Sequence, residues 1–128
     1  MENLLISEPR NGYEIFPKIQ LNADTGICSI SGQSYMQNSK LYFKPVLEWF
    51  DEYITLNKNK IELICKLKSF NTGTSRVLFE ILEKLRIFKH RGGDVQIQWF
   101  FDDQKDTLAD DIVDIISELE INLQVKSY

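Results

Sequence analysis

The sequence predicts a mixed α/β fold in which three helices pack against a sheet of about five strands. Short segments of alternating apolar residues are separated by longer segments with helical periodicity, a pattern typical of parallel strands joined by crossover helices. Near the N-terminus, two apolar segments are separated only by the turn-forming residues 22–26, which predicts an antiparallel hairpin. The predicted order of elements is ββαβαβαβ, and the 128 residues are expected to form a single domain, 1–128.

The first half of the chain contains the predicted hairpin and the first helix. The first strand is predicted within 14–21, where Pro17 restricts it to a sheet edge or an irregular segment. The second strand is predicted over 27–32. Apolar residues at helical spacing within 41–56 then predict the first helix, which is entered through a polar stretch ending near residues 38–39.

The second half of the chain repeats a strand and helix alternation. Its predicted elements are strand 61–67, helix 77–88, strand 95–101, helix 108–119 and strand 121–125. The helix at 77–88 is expected to close over 90–93, where basic residues precede two glycines. Because the later strands keep polar residues on one face, we expect helices mainly on the other face. The sheet should therefore have a partly open side that could meet a partner.

Composition and charge exclude several classes of protein. The formal net charge of −4 and the pI near 5.0 argue against nonspecific nucleic-acid binding, which depends on lysine and arginine. No apolar run approaches the roughly 20 residues that cross a bilayer, and the N-terminus lacks the features of a secretory signal. Cys28 and Cys65 lie in apolar segments, as buried free thiols do. We therefore expect a soluble cytoplasmic protein with neither a nucleic-acid nor a membrane partner.

Catalytic and metal-binding patterns are weak. His90 is the only histidine, it lies where a helix closes, and it has no metal-ligand spacing with the two cysteines. The chain also lacks a glycine-rich nucleotide loop, a plausible catalytic lysine and an HRD-type segment, so we expect that it is not a kinase. We expect neither enzymatic activity nor a cofactor. An acidic cluster that begins with Asp102 and Asp103 follows the strand at 95–101. Helix capping and solvation explain most of this cluster, whereas a partner-docking patch and a metal site are the alternatives.

Two adjacent aromatic residues end the strand at 95–101. Phe100 and Phe101 cannot share one face of a strand, so one of them should point away from the main core. An exposed aromatic side chain that extends an apolar patch would mark an interface, while burial under a loop is the alternative.

Three hydroxyl side chains occupy the junction between the strand at 61–67 and the following helix. They belong to Thr72, Thr74 and Ser75. A helix needs only one side-chain oxygen as its N-cap, so at least two of them are surplus to capping. Either Thr74 or Ser75 caps the helix and Thr72 is a solvated loop hydroxyl, or one hydroxyl is there to be modified or bound.

Three segments carry a resemblance to a known family: 32–38 followed by 43–50, then 70–75, and 99–103. Together they resemble the SiaC family of bacterial regulatory phosphoproteins, whose fold is similar to that of STAS-domain anti-sigma-factor antagonists. The order of predicted elements also agrees over nearly the whole chain. Two departures are visible: Met36-Gln37 replaces a Pro-Glu pair, and Gly73-Thr74 alters the family's Asn-Thr-Ser-Ser motif.

The resemblance implies a non-enzymatic signalling switch of STAS-like fold. The threonine after the asparagine is the phosphoacceptor in the family, and this implies Thr72, with Thr74 and Ser75 as alternatives. The resemblance also implies a dedicated serine/threonine kinase, a phosphatase, and a partner that is chosen by the phosphorylation state. In the family that partner can be a diguanylate cyclase.

The chemistry of the junction agrees with such a switch. A phosphate on Thr72 would lie at the positive end of a helix, near the backbone N–H groups of residues 73–75. Asn71, Gly73 and Arg76 are therefore candidate phosphate-supporting residues. We also expect Gly73 to keep the loop open to a kinase, because it brings no side chain.

The expected partner interface combines two of the family-like segments. It contains Tyr35 and Asn38 from the first segment and Phe100, Asp102 and Asp103 from the third. One alternative is a constitutive protein-binding module of the same fold, in which the junction is only a helix cap. Another is a small domain whose acidic cluster binds a metal or small ligand.

Overall fold

The computed structural model describes residues 1–56, 58–101, 117 and 122–127, which form one mixed sheet and two helices. The strands are β1 (Leu4–Ile6), β2 (Lys18–Leu21), β3 (Ile27–Ser34), β4 (Lys60–Phe70), β5 (Asp94–Phe101) and β6 (Asn122–Ser127), and the helices are α1 (Ser39–Thr55) and α2 (Thr72–His90).

The six strands lie in the sheet in the same order as in the chain. β1, β2 and β3 are antiparallel, which confirms the hairpin, and β3 to β6 are parallel, which confirms the crossover pattern. The five predicted strands correspond to β2–β6. β1 was missed because three residues are too few to show a period of two.

The first predicted strand is wrong over residues 14–17. The strand begins only after Pro17, which has no N–H to donate to a ladder. Upstream, Ile15 instead forms an isolated antiparallel bridge with Tyr35. This bridge holds the N-terminal segment beside the end of β3, next to the candidate site.

The helices differ from their predictions at their N-termini. α1 begins at Ser39, close to where it was expected, but Leu41 is 66% exposed and does not belong to the buried stripe. α2 begins at Thr72 rather than near residue 77, so the hydroxyl-rich segment is the first turn of the helix. The helix closes as predicted, with Gly92 at a positive φ just beyond it. The predicted third helix, 108–119, lies outside the described residues apart from residue 117.

The core lies between the two helices and one face of the sheet. A single hydrophobic cluster contains the apolar stripes of α1 and α2 together with the inward residues of β2–β5, including Trp49 and Trp99. Cys28 and Cys65 are free and buried in it, and burial raises the pKa of each thiol to about 12. The opposite face of the sheet carries partly or fully exposed residues along β3–β5, which confirms an open side: Ser29, Ser31, Glu62, Ile64, Lys66, Gln96, Gln98 and Phe100.

No helix in the described part of the chain is both long enough and apolar enough to cross a membrane.

Candidate functional site

Both helices begin at the same edge of the sheet. β3 and β4 are parallel neighbours, so their carboxyl ends meet at this edge, where Ser34 pairs with Phe70. Asn38 follows β3 as the N-cap of α1, and Asn71 follows β4 as the N-cap of α2. The candidate phosphoacceptor Thr72 is the first residue of α2 and therefore lies at the edge where both helices begin.

Asparagine, and not a hydroxyl residue, caps each helix. The Oδ1 atom of Asn71 accepts a hydrogen bond from the Thr74 N–H at 3.0 Å, and Asn38 does the same for Leu41 at 3.1 Å. The alternative in which Thr74 or Ser75 caps α2 is therefore wrong. None of the three hydroxyls at the junction is needed as an N-cap.

Asn71 also ties the start of α2 to the segment after β3. Its Nδ2 atom donates to the Met36 carbonyl at 2.9 Å, and its backbone N–H donates to the Ser34 carbonyl at 3.1 Å. Both ends of the side-chain amide are thus engaged, one in the cap and one in the tie. The role of Asn71 that the structure shows is to position the helix end.

The three hydroxyls of the junction have different surroundings. Thr74 is fully buried, with its Oγ1 atom 2.7 Å from the Ser34 Oγ and 3.3 Å from the Ser39 Oγ. Ser75 is half-buried. Thr72 is exposed, and its hydroxyl makes no hydrogen bond with the described residues. The fold thus hides Thr74 from a modifying enzyme and leaves Thr72 accessible.

Ser34, Ser39 and Thr74 form a buried hydroxyl cluster that joins β3, α1 and α2. Thr74 also donates to the Ser34 carbonyl at 3.3 Å. Sequence reasoning missed this cluster. The available signal was Ser34 itself, a polar residue at an inward position of a strand whose other inward residues are apolar.

Gly73 fills a tight contact between the two helices. A Cβ atom at this position would lie 2.9 Å from the Ser39 Oγ. The expectation that Gly73 keeps a loop open to a kinase is wrong, because this residue is helical and its bare side faces α1. Its small size lets the first turns of α1 and α2 approach each other.

We expect Gly73→Ala to destabilise the fold by about 1 kcal/mol, because the new methyl group pushes Ser39 out of the hydroxyl cluster. In a Ser39→Ala background the same change should become neutral or stabilising, since alanine favours helix over glycine by about 1 kcal/mol. Urea unfolding of the four proteins of this cycle measures both values. An unchanged effect of Gly73→Ala in the two backgrounds would contradict the contact.

The charges around Thr72 suit an anion. Neither helix has an acidic residue in its first turn. Arg76 is exposed, pairs with no described acidic group, and lies four residues after Thr72, on the same side of the helix. Lys40, in the first turn of α1, reaches Glu80, in the third turn of α2, at 3.5 Å and links the two helices. The positive helix ends are therefore not neutralised by the first turns that follow them.

Two of the predicted interface residues lie close to this edge. Tyr35 is half-buried and lines a cleft together with Asn71 and Tyr13, which is 98% exposed. Asn38 lines a neighbouring cleft that includes the exposed Leu41. The two clefts share several residues, so they form a continuous surface that reaches the N-cap of α2. Sequence reasoning named neither Tyr13 nor Leu41 as a contact residue.

The other predicted interface residues are elsewhere or outside the described chain. Phe100 lies on the open face of the sheet, as one of the two adjacent phenylalanines had to, with its ring centre 4.8 Å from the Lys66 Nζ. Asp102 and Asp103 lie outside the described residues. Tyr35 and Asn38 therefore lie near Thr72, at the edge of the sheet where both helices begin, whereas Phe100 lies on a different surface.

The described residues were also compared with the expectations for a metal site and for His90. These residues contain no group of three or more His, Cys, Asp or Glu side chains that could hold a metal ion. His90 is exposed in the last turn of α2, about 27 Å along the helix from Thr72. It cannot act on the candidate site.

Comparison with known proteins identifies relatives over most of the chain. Residues 11–128 match the model of a family described as SiaC family regulatory phosphoprotein. An uncharacterised protein of Pseudomonas aeruginosa strain UCBPP-PA14 is 27% identical over 99 residues, which cover 77% of this chain and 79% of the relative.

Solved structures share the fold. SiaC of Pseudomonas aeruginosa superimposes with a TM-score of 0.85 at 24% identity, over 100% of both chains. A chain from the crystal structure of the diguanylate cyclase SiaD in complex with its activator SiaC, from the same organism, gives a TM-score of 0.84 at 23% identity, over 98% of this chain and 99% of the other. The chain described here thus belongs to the SiaC family of regulatory phosphoproteins and is a regulatory protein, not an enzyme.

Proposed function

We propose that this protein is a switch in which reversible phosphorylation of Thr72 controls the binding of a partner protein. The observation that carries the proposal is the sorting of the three hydroxyls at the start of α2. Thr74 is locked in a buried cluster and Ser75 is half-buried, whereas Thr72 is exposed and makes no hydrogen bond with a described residue.

A phosphate on Thr72 would be stabilised by the N-terminal end of α2 and by a nearby cation. It would carry about −1.5 to −2 charges at the positive end of α2. The N–H groups of Thr74 and Ser75 already donate to Asn71, so the phosphate would meet the N–H groups of Thr72 and Gly73. Arg76, one turn further along, supplies a cation on the same side of the helix. Asn71 supports the phosphate indirectly by holding the helix end.

The same phosphate would change the surface that a partner meets. Tyr13, Tyr35 and Leu41 make the neighbouring clefts partly apolar. A doubly charged group beside them must be desolvated by any partner that covers this edge, and it repels acidic partner groups. Affinity would therefore depend on phosphorylation without refolding of the domain. A serine/threonine kinase and a phosphatase would set the state.

The partner proposed for this surface is a diguanylate cyclase. The support is the fold that this chain shares with SiaC, which is the activator of the diguanylate cyclase SiaD in the solved complex of the two proteins. Tyr35 and Asn38 are the proposed contact residues nearest to the switch. Phe100, Asp102 and Asp103 are proposed as further contacts.

We also infer that residues 1–128 form one cytoplasmic domain of STAS-like fold with a third helix between β5 and β6. The support is the continuous sheet, which runs from β1 near the N-terminus to β6 near the C-terminus. Two free buried cysteines suit a reducing compartment.

The experiment that tests the switch is mass analysis of the protein purified from its native host, with fragmentation across residues 70–76, followed by affinity measurements. We expect a phosphate on Thr72 under some growth conditions, and different affinities of the two forms for a diguanylate cyclase of the same organism. A chain that carries no phosphate under any condition and binds the cyclase regardless would contradict the switch and favour the constitutive binding module.

A further inference from the structure

The open face of the sheet has a charge gradient along its strands. At the amino end of β4 and β5, Lys60 pairs in register with Asp94, and Glu62 follows two positions after Lys60, so acidic groups outnumber basic ones there. The carboxyl end of β4 is positive, because Lys66 and Lys68 lie there on the same face. The middle of the face is uncharged across four adjacent strands, with these residues in register: Gln20, Ser29, Ile64 and Gln98.

The positive end is organised as a strip across four strands. Lys18 of β2 pairs with Ser31 of β3, and Ser31 pairs with Lys66 of β4. Two strand spacings separate the lysine Cα atoms, which places them about 10 Å apart with a small serine between them. Phe100 of β5 extends the row, with its ring centre 4.8 Å from the Lys66 Nζ. These four residues are called the basic strip.

The basic strip is accessible, and no described strand position beside it on this face carries a carboxylate. Lys18 and Lys66 are exposed, and neither forms a salt bridge with a residue that the structure describes. Lys68, two positions beyond Lys66 on the same face, is also exposed. A cluster of lysines on one face is notable in a chain whose net charge is −4.

We propose that the basic strip is a docking surface for an acidic segment of a partner protein. Two carboxylates about 10 Å apart would pair with Lys18 and Lys66, and an apolar side chain beyond the carboxylate on Lys66 would pack beside Phe100. A nucleic acid fits less well, because the overall negative charge opposes a polyanion and only a few lysines offset it. This surface lies on the opposite face from the helices and does not depend on modification of Thr72.

The test is an NMR titration of the isotope-labelled full chain with a short synthetic peptide that is rich in glutamate and has one tryptophan at the end of the glutamate run. We expect backbone shifts concentrated at Lys18, Ser31, Lys66 and Phe100, and an affinity that falls with salt. The charge reversal Lys18→Glu/Lys66→Glu should lower the affinity for the peptide at least about tenfold, because two ion pairs become two repulsive contacts. The control variant Lys44→Glu/Lys89→Glu makes the same change of net charge on the helices. It should lower the affinity for the peptide less than about twofold.

Several outcomes would overturn the proposal. They are shifts centred away from the strip, equal weakening by the strip and control variants, and unchanged binding of a peptide with glutamine in place of glutamate. A single-stranded oligonucleotide that binds the same residues more tightly than the peptide would also overturn it and assign the strip to nucleic acid. Lys18→Gln/Lys66→Gln removes both positive charges without adding acidic groups. A thermal melt of each variant shows whether a loss of peptide binding is caused by a loss of folding.

Discussion

Thr72→Ala is expected to abolish phosphate incorporation while leaving the fold intact. The Thr72 side chain is exposed and makes no hydrogen bond with a described residue, and Asn71 supplies the N-cap oxygen of α2. Loss of the hydroxyl should therefore change the free energy of unfolding by less than about 0.5 kcal/mol. Incubation with the cognate kinase, followed by intact-mass analysis and urea unfolding, measures both quantities.

The controls for Thr72→Ala use the same turn of the helix. Thr72→Ser keeps an acceptor hydroxyl at the same place and should still take up one phosphate. Ser75→Ala should also keep it, because the half-buried Ser75 is not the proposed acceptor. Phosphate that persists in Thr72→Ala and disappears in Ser75→Ala would move the switch to Ser75.

Thr74→Val is expected to destabilise the protein by about 2–3 kcal/mol, although valine has nearly the shape of threonine. The change removes the Oγ1 atom that lies 2.7 Å from the Ser34 Oγ and 3.3 Å from the Ser39 Oγ. Both serines are buried, and an unpaired buried hydroxyl costs about 1–3 kcal/mol. Urea unfolding measures the loss of stability. If the slope of the unfolding free energy against urea concentration is unchanged, the loss arises in the folded state.

A matched control lies two residues away. Thr72→Val is the same chemical change at an exposed position, so its effect on unfolding should stay within about 0.5 kcal/mol. Ser34→Ala combined with Thr74→Val should cost less than the sum of the two single changes, because each removes the other's partner. Additive losses, or equal losses for the two valine variants, would argue against the buried hydroxyl cluster.

Patterns of local chemistry in the sequence predicted most of the architecture. Alternating apolar residues located β2–β6, and the short turn at 22–26 located the hairpin, because side-chain direction in a strand has a period of two. The polar residues of β4 and β5 predicted the open face for the same reason. The family resemblance was confirmed by the match over 11–128, whereas the Thr72 site that it implies, with Thr74 and Ser75 as alternatives, stays a prediction.

The sequence could not predict how the three hydroxyls of the junction divide their roles. Thr72, Thr74 and Ser75 are chemically alike and close together in the chain, so no local pattern separates an exposed acceptor from a buried one. Their separation depends on Ser34 and Ser39, which lie far away in the chain and meet Thr74 only because β3 and β4 are parallel neighbours.

The sequence by itself determined the class of fold, because strands and helices have different periods of apolar residues. It also showed the resemblance to the SiaC family, which implies Thr72 as the candidate switch. Only the tertiary structure decided that Asn71 ties α2 to the segment after β3, that Gly73 is small to admit α1, and that Lys18, Lys66 and Phe100 share one face. Each of these depends on contacts between distant segments, and strand pairing and helix packing establish such contacts only when the chain folds.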